Sequence, residues 1–445
     1  MKQTALKKEL FQITWPIFVE SVLFMLIGII DVAMLSHYNN NASGAIGIVN
    51  TLINMFNIFF SIITAGTSII CVQYIGAGKK KLENQKLIGA SLIFNTLVGT
   101  LFSIMIFFFY TPLLRFMNTG EEFWDYSQTY LILVGSTLFL QAIMNTFTAA
   151  LRAYSYTRLC MYVTVIVNCL NIIGNYCLIY GKCGLPGLGV QGAAISTVSS
   201  KIIGTVILGA MCRKKIMENF SLSDLKPFPF HHLNNVLRLG TPAGGESIAY
   251  NGAKLVITII LTHIGTAAVN ANTYLNSISS VIYIFAVATG QGTAIIVGRL
   301  VGEQKKDEAY HLCLSSFFTS LAITVFVSLL VLILHYPILR IFTDNPNLIA
   351  LCRNTLIVDL FLEIGRCANV VIINSLRAAG DVNFPVIMGI ISMWGIGVLL
   401  SYVLGICFNL GIIGVWIALG ADELFRGIVM FFRWRIGSWR NKQIV

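Results

Sequence analysis

Residues 13–36 read ITWPIFVESVLFMLIGIIDVAMLS, an apolar block interrupted by two charges, Glu20 and Asp31. As a helix rising 1.5 Å per residue, the block measures about 36 Å, enough to cross a hydrocarbon core of about 30 Å. The carboxylate of Asp31, flanked as LIGIIDVAML (26–35), then sits roughly 7–8 Å below the far end of the block. Ionising a carboxylate there is costly, so its presence needs a reason.

Blocks of the same length recur along the chain. Of 445 residues, 56% are hydrophobic and 11% charged, with mean hydropathy +0.79. A soluble globular domain carries about 25% charged residues. Lipid satisfies no backbone polar group, which leaves helices as the spanning element for such blocks. The spacing predicts an all-α polytopic membrane protein with spans near 13–36, 45–72, 89–111, 127–150, 159–180, 189–211, 240–262, 270–298, 311–335, 350–375, 384–406 and 410–431. Met1 to Glu9 reads as a short basic lead rather than a cleavable signal. The ten cysteines form no CxxC pair and read as small apolar packers.

Charge gives orientation. Of the 30 Lys and Arg, 22 fall in the termini and in the loops leaving even-numbered spans, among them Lys79, Lys80, Lys81, Arg213, Lys214 and Lys215. Arg115, Lys182, Arg340 and Arg353 fall on the opposite face. The positive-inside rule places both termini in the cytoplasm of a cell-membrane protein. Topology and anionic lipid account for the net charge of +11 without a nucleic-acid partner.

An internal repeat is visible by sliding the sequence 226 positions. Pro16, Glu20 and Ser21 then fall on Pro242, Glu246 and Ser247, His37 on His263, and Gly66-Thr67 on Gly292-Thr293. Between 16 and 80 the shift gives 17 identities in 65 positions; further on, Leu151-Arg152-Ala153 matches Leu376-Arg377-Ala378. The expected organisation is an N-terminal six-helix lobe (1–212), a connector (213–239), a C-terminal six-helix lobe (240–432) and a basic tail (433–445). Two such bundles, related by a pseudo-twofold axis along the membrane normal, are the architecture of alternating access around a site at their interface.

Candidate site residues follow from polar groups at membrane depth. In span 5, Asn168, Asn171 and Asn175 share one helix stripe. Asn171, Asn175 and Thr197 of span 6 lie at depths near that of Asp31, so a carboxylate, amides and a hydroxyl can form a hard oxygen site for Na⁺ or H⁺. Interhelical hydrogen bonding is the plain alternative for the amides. Asp359, Glu363 and Arg366 form a charged stripe on span 10, with Arg366 expected to neutralise one carboxylate. Lys254, mid-span 7, has Glu246 or a span 10 carboxylate as candidate partners. Glu20 and Glu246, each four residues after a proline, read first as helix-start capping features, with a place for Glu20 on a cation path left open. His37 and His263 read as interfacial packing.

DVAMLSH, GAGKKKLE with its counterpart GEQKKDEA, NIIGNYCLIYG, GLGVQGAAIST and GRCANVVIINSLRAAGDVNFP together resemble the multidrug and toxic compound extrusion (MATE) transporters over nearly the whole chain. The resemblance implies efflux of small, often cationic organic substrates, driven by Na⁺ or H⁺. It also implies a cation-coupling role for Asp31 with Asn171, Asn175 and Thr197, which form the metal site if the ion is Na⁺. Some members carry a second aspartate where this chain has Asn175. Asp359, Glu363, Arg366, Glu246 and Lys254 fit coupling or substrate roles in kind. No HExxH or GxSxG supports an enzyme, and no cofactor is expected beyond the coupling ion. The partners expected are organic substrates and lipid, with the chain acting as a monomer. The alternative is a flippase for lipid-linked saccharides, which requires a strongly basic cleft.

Overall fold

The computed structural model describes residues 2–182, 184–218, 220–442 and 444. Among them there is helix and no strand, as the backbone requirement in lipid dictates. We number the spanning helices α1 (Lys2–Tyr38), α2 (Asn40–Gly76) and α3 (Lys81–Phe116). Then come α4, a bent pair of Glu121–Gly135 and Leu138–Ala153, α5 (Thr157–Tyr180) and α6 (Val190–Lys215). The second set is α7 (Phe230–Ile264), α8 (Thr266–Gly302), α9 (Lys306–Ile333), α10 (Pro346–Ala378), α11 (Asn383–Cys407) and α12 (Gly411–Ile436).

Nine of these helices are each long and apolar enough to span, and α4 counts as a tenth across its 48° bend. The other two, α10 and α12, carry charges within the span: Asp359, Glu363 and Arg366 in one, Asp422, Glu423 and Arg426 in the other. Twelve spans therefore stand, most of them longer than their apolar blocks. The bend in α4 follows a π-helical turn at Leu131–Gly135, and α11 contains two more, Met393–Val398 and Val403–Cys407. Such turns displace side chains from the regular 3.6-residue stripe and recur at functional sites.

Glu20 and Glu246 are not first-turn residues, because α1 begins at Lys2 and α7 at Phe230 and both helices run on through Pro16 and Pro242. The apolar block starts later than the helix, since a polar leading turn is stable outside the lipid. The capping interpretation is therefore withdrawn.

The chain forms two compact units. The N-terminal unit comprises residues 19–71 and 79–244; its core packs Leu35, Val49, Phe60, Leu131 and Ile179, among others. The C-terminal unit comprises residues 1–18, 72–78 and 245–445, with Ile257, Leu275, Cys352, Leu362 and Trp416 in its core. Thus the first 18 residues group with the C-terminal unit, and the start of α7 with the N-terminal one. Residues 434–440 also pack onto the C-terminal unit: Trp439 stacks on Trp434 at 4.3 Å, and Arg440 pairs with Asp307 at 2.7 Å. The nine described cysteines are free; Cys183 lies outside the described residues.

Candidate functional site

In the N-terminal unit, α5 carries Asn168, Asn171 and Asn175 on one buried stripe facing α1 and α6. The Asn175 Nδ2 donates to Asp31 Oδ1 at 2.7 Å and to Asn171 Oδ1 at 3.3 Å. Asn171 Nδ2 in turn donates to Thr197 Oγ1 at 3.2 Å, and Tyr130, from α4, lies beside Thr197. Asp31, Asn175, Asn171 and Thr197 are thereby one connected group. Asn168 stands apart from it, donating to the Leu23 carbonyl at 3.4 Å.

The same helix holds α1 in register. Beyond the cluster, the Tyr180 hydroxyl donates to the Met34 carbonyl at 2.6 Å. On the other side, the Ser196 hydroxyl donates to the Asn171 carbonyl at 2.8 Å, and Gly174 leaves room for that approach. Among the described residues, the Asn175 Oδ1 is buried without a hydrogen-bond partner. An orphaned buried acceptor costs about 1–3 kcal/mol. It lies on the same amide that donates to Asp31, so a cation coordinated there would relieve the deficit. The donor set is one carboxylate plus neutral oxygens, the chemistry of a hard, weakly held ion. Among the described residues there is no group of three or more His, Cys, Asp or Glu able to hold a metal.

The C-terminal unit has a larger network. The Ser279 hydroxyl, from α8, lies 2.7 Å from Asp359 Oδ1 and 3.0 Å from Glu363 Oε1. One hydroxyl proton satisfies one of these contacts; the other is favourable when a carboxyl itself carries a proton and donates to the serine oxygen. Arg366 Nη1 pairs with Glu363 at 2.5 Å, and its guanidinium stacks over the Tyr283 ring at 4.9 Å. Arg366 also reaches Glu423 at 3.9 Å. Arg426 joins Glu423 (3.2 Å) to Asp422 (2.9 Å), Asn369 donates to Glu423 at 2.6 Å, and Ser392 bonds to Asp422 beside the first π-turn of α11. Four carboxyls thus face two guanidinium groups.

Lys254 meets neither of the partners considered for it. Among the described residues it has no ion pair, and its ammonium lies 5.7 Å from the Tyr250 ring centre. It belongs to an exposed stripe of α7, with Asn251, Thr258 and Thr262. The neighbouring exposed face is apolar, with Ile248, Leu255 and Ile259. A spanning helix with one apolar and one polar exposed face turns the first to lipid and the second to water.

Glu20 and Glu246 are each taken by an arginine. Glu20 pairs with Arg152 at 2.7 Å and accepts from Thr164 at 3.2 Å. Glu246 pairs with Arg377. Sequence reasoning missed Tyr130, Ser279, Tyr283, Arg152, Arg377 and the charges of α12. The run ADELFRG (421–427) inside an apolar block was a readable signal for the last of these. His37 and His263 are exposed at the ends of α1 and α7.

These features define a polytopic helical membrane protein of duplicated six-span build, with polar groups clustered at membrane depth in each unit. Secondary transporters belong to that class. The MatE family profile matches twice, at residues 16–177 and 242–403, starting at the two prolines that the repeat aligns. The chain belongs to the MATE family of transporters. It is 38% identical to the uncharacterized transporter YisQ of Bacillus subtilis, over 99% of this chain and 98% of that one. It is 29% identical to the probable multidrug resistance protein NorM of Thermotoga maritima, over 99% and 94%. Among solved structures, the Vibrio cholerae MATE transporter VcmN in the bent form superposes with a TM-score of 0.87 at 18% identity, covering 98% of this chain and 97% of that one. A MATE structure in the straight conformation also gives 0.87, at 19% identity, covering 97% and 95%.

Proposed function

We propose that the protein is a secondary active antiporter that exports small organic compounds, often cationic and amphipathic, in exchange for Na⁺ or H⁺ by alternating access. It works in the cell membrane, as a monomer with both termini in the cytoplasm. The observation that carries this reading is the Asp31–Asn175–Asn171–Thr197 group. It is a single intramembrane carboxylate held by an amide whose own oxygen is left without a partner. The names of the relatives, multidrug resistance proteins among them, support drug-like substrates over a lipid-linked saccharide.

In this scheme ion binding at Asp31 repacks α1 against α5 through Asn175 and Tyr180. Coupling requires only that ion and substrate prefer different arrangements of that element. Asp359 and Glu363, sharing Ser279 beside Arg366, form a second carrier of a proton or cation in the C-terminal unit. Lys254 adds a positive centre on the water-facing stripe of α7, favouring substrates that carry an acidic group besides any cationic one.

Everted vesicles test the proposal. Imposed Na⁺ and H⁺ gradients, applied separately, should drive uptake of a fluorescent cation in the wild type with one of the two ions. Asp31→Asn should abolish the gradient-driven component. Undiminished uptake in that variant would remove Asp31 from coupling.

A further inference from the structure

The two glutamates and two arginines nearest the proline pairs form a duplicated feature that the ion site does not use. Glu20 and Glu246 are equivalent in the repeat, and so are Arg152 and Arg377 within the shared Leu-Arg-Ala triplet. Each glutamate is paired with the arginine of its own repeat. Each arginine stands in the last turn of the fourth span, α4 or α10. Both pairs are largely withdrawn from solvent, with side-chain exposures of 4% and 14% for Glu20 and Glu246.

Stability alone is a poor reason to keep such a pair twice. Desolvating two charges offsets most of their attraction, and apolar replacements are often as stable. The repeats have diverged widely elsewhere. Asp31 itself is matched by Ile257, a buried core residue. A charge pair retained in both halves while Asp31 is found in one calls for a role common to both halves.

Its position supplies that role. The division between the compact units falls in α1 after Phe18 and in α7 after Gly244, in each case just ahead of the glutamate. The leading piece of α1 is fixed within the C-terminal unit: Glu9 pairs with Arg299 at 2.7 Å, and Thr14 fills the space that a side chain at Gly292 would need. The leading piece of α7 is fixed within the N-terminal unit, where the Val236 backbone lies against Gly66 and Gly240 lies against Ile62. Pro16 and Pro242 lie within one turn of where the anchored pieces end, Phe18 against Phe285 and Gly244 against Ile62, and ahead of the glutamates. A proline there leaves the carbonyl four residues earlier without its helical donor, which makes a local weak point.

We propose that Arg152 and Arg377 are positioning residues for transport. Each clamps the first helix of its repeat to the fourth, immediately past the proline. Movement of α1 or α7 is thereby confined to rotation about Pro16 or Pro242 instead of being lost in sliding. The proposal rests on the antiporter reading, but its test does not depend on that reading alone.

Full-length wild type, Glu20→Gln, Arg152→Gln, Glu246→Gln, Arg377→Gln and the exchanged pair Glu246→Arg with Arg377→Glu are compared in vesicles and as purified protein. Each single variant should lower the maximal uptake rate about tenfold or more while the apparent KM stays within about twofold, and the exchanged pair should recover most of the rate. Wild-type rates in the single variants overturn the proposal. So does a rate loss matched by an equal loss of binding of a fluorescent cation to purified protein. If the wild type shows no ion-driven uptake, the antiporter reading fails, and hydrogen exchange decides the positioning role by itself. Arg152→Gln should then speed exchange locally in residues 16–24, and Arg377→Gln in 242–250. An unchanged pattern, or a uniform rise across the chain, overturns the proposal.

Discussion

Glu363 is 1% exposed and depends on one guanidinium for its counter-charge at close range. Removing a single partner of a buried ion pair costs about 3–5 kcal/mol. Arg366→Leu should therefore lower the thermal unfolding midpoint in detergent sharply, and Arg366→Leu with Glu363→Leu should regain most of the loss. A double variant as unstable as the single would show that the pair is not what Arg366 supports. Lys254 behaves in the opposite way, because among the described residues it has no ion pair to break. Lys254→Gln should change stability by no more than about 0.5 kcal/mol. It should, however, shift competition in uptake assays toward a permanent monocation and away from a zwitterion. Residue types were legible at this scale: Asp31, the asparagines, Asp359 and Glu363 stand out because polar atoms are rare in apolar blocks. Their pairings were not. Asn175 and Asp31 are 144 positions apart, and Arg152 and Arg377 lie just past the apolar blocks, so block length does not place them in the last turns of α4 and α10.

Helix packing turns on where two backbones come close. A Cβ on Gly66 would lie 2.8 Å from the Val236 carbonyl carbon, a contact that requires backbone to move. Gly66→Leu should destabilise by about 1–3 kcal/mol or more. Gly245, also inside a helix, has open space where its Cβ would go, and Gly245→Ala should be neutral or stabilising by up to about 1 kcal/mol. Thermal unfolding of the two variants side by side checks the contrast; equal effects would contradict the packing described. Apolar block length made all twelve spans legible. It did not show the bend in α4 or the π-turns of α11, because one inserted residue leaves the hydrophobic pattern almost unchanged. The helix starts were also misplaced, since the leading turns of α1 and α7 are polar and lie ahead of the blocks. That error produced the capping interpretation of Glu20 and Glu246.

For the whole molecule the duplication was readable from aligned residues, and the family profile begins its two matches at the same pair of prolines. The composition of the compact units was not readable. A cut of the chain near its middle assigns Lys2–Phe18 to the first half, whereas those residues group with the C-terminal unit. Grouping of this kind arises from long-range packing at Gly292 and Arg299, which leaves no local signature. Under the proposed function, an ion taken up at Asp31 does work on a substrate elsewhere in the protein. The most direct measurement reverses the direction of that work. Purified protein is reconstituted in vesicles with no ion gradient and given a substrate gradient alone, while internal pH and Na⁺ are followed by fluorescence. Wild type should build up a gradient of one of the two ions, and Asp31→Asn should build up none. Substrate flux without ion movement in the wild type, or ion movement undiminished in Asp31→Asn, would contradict the account.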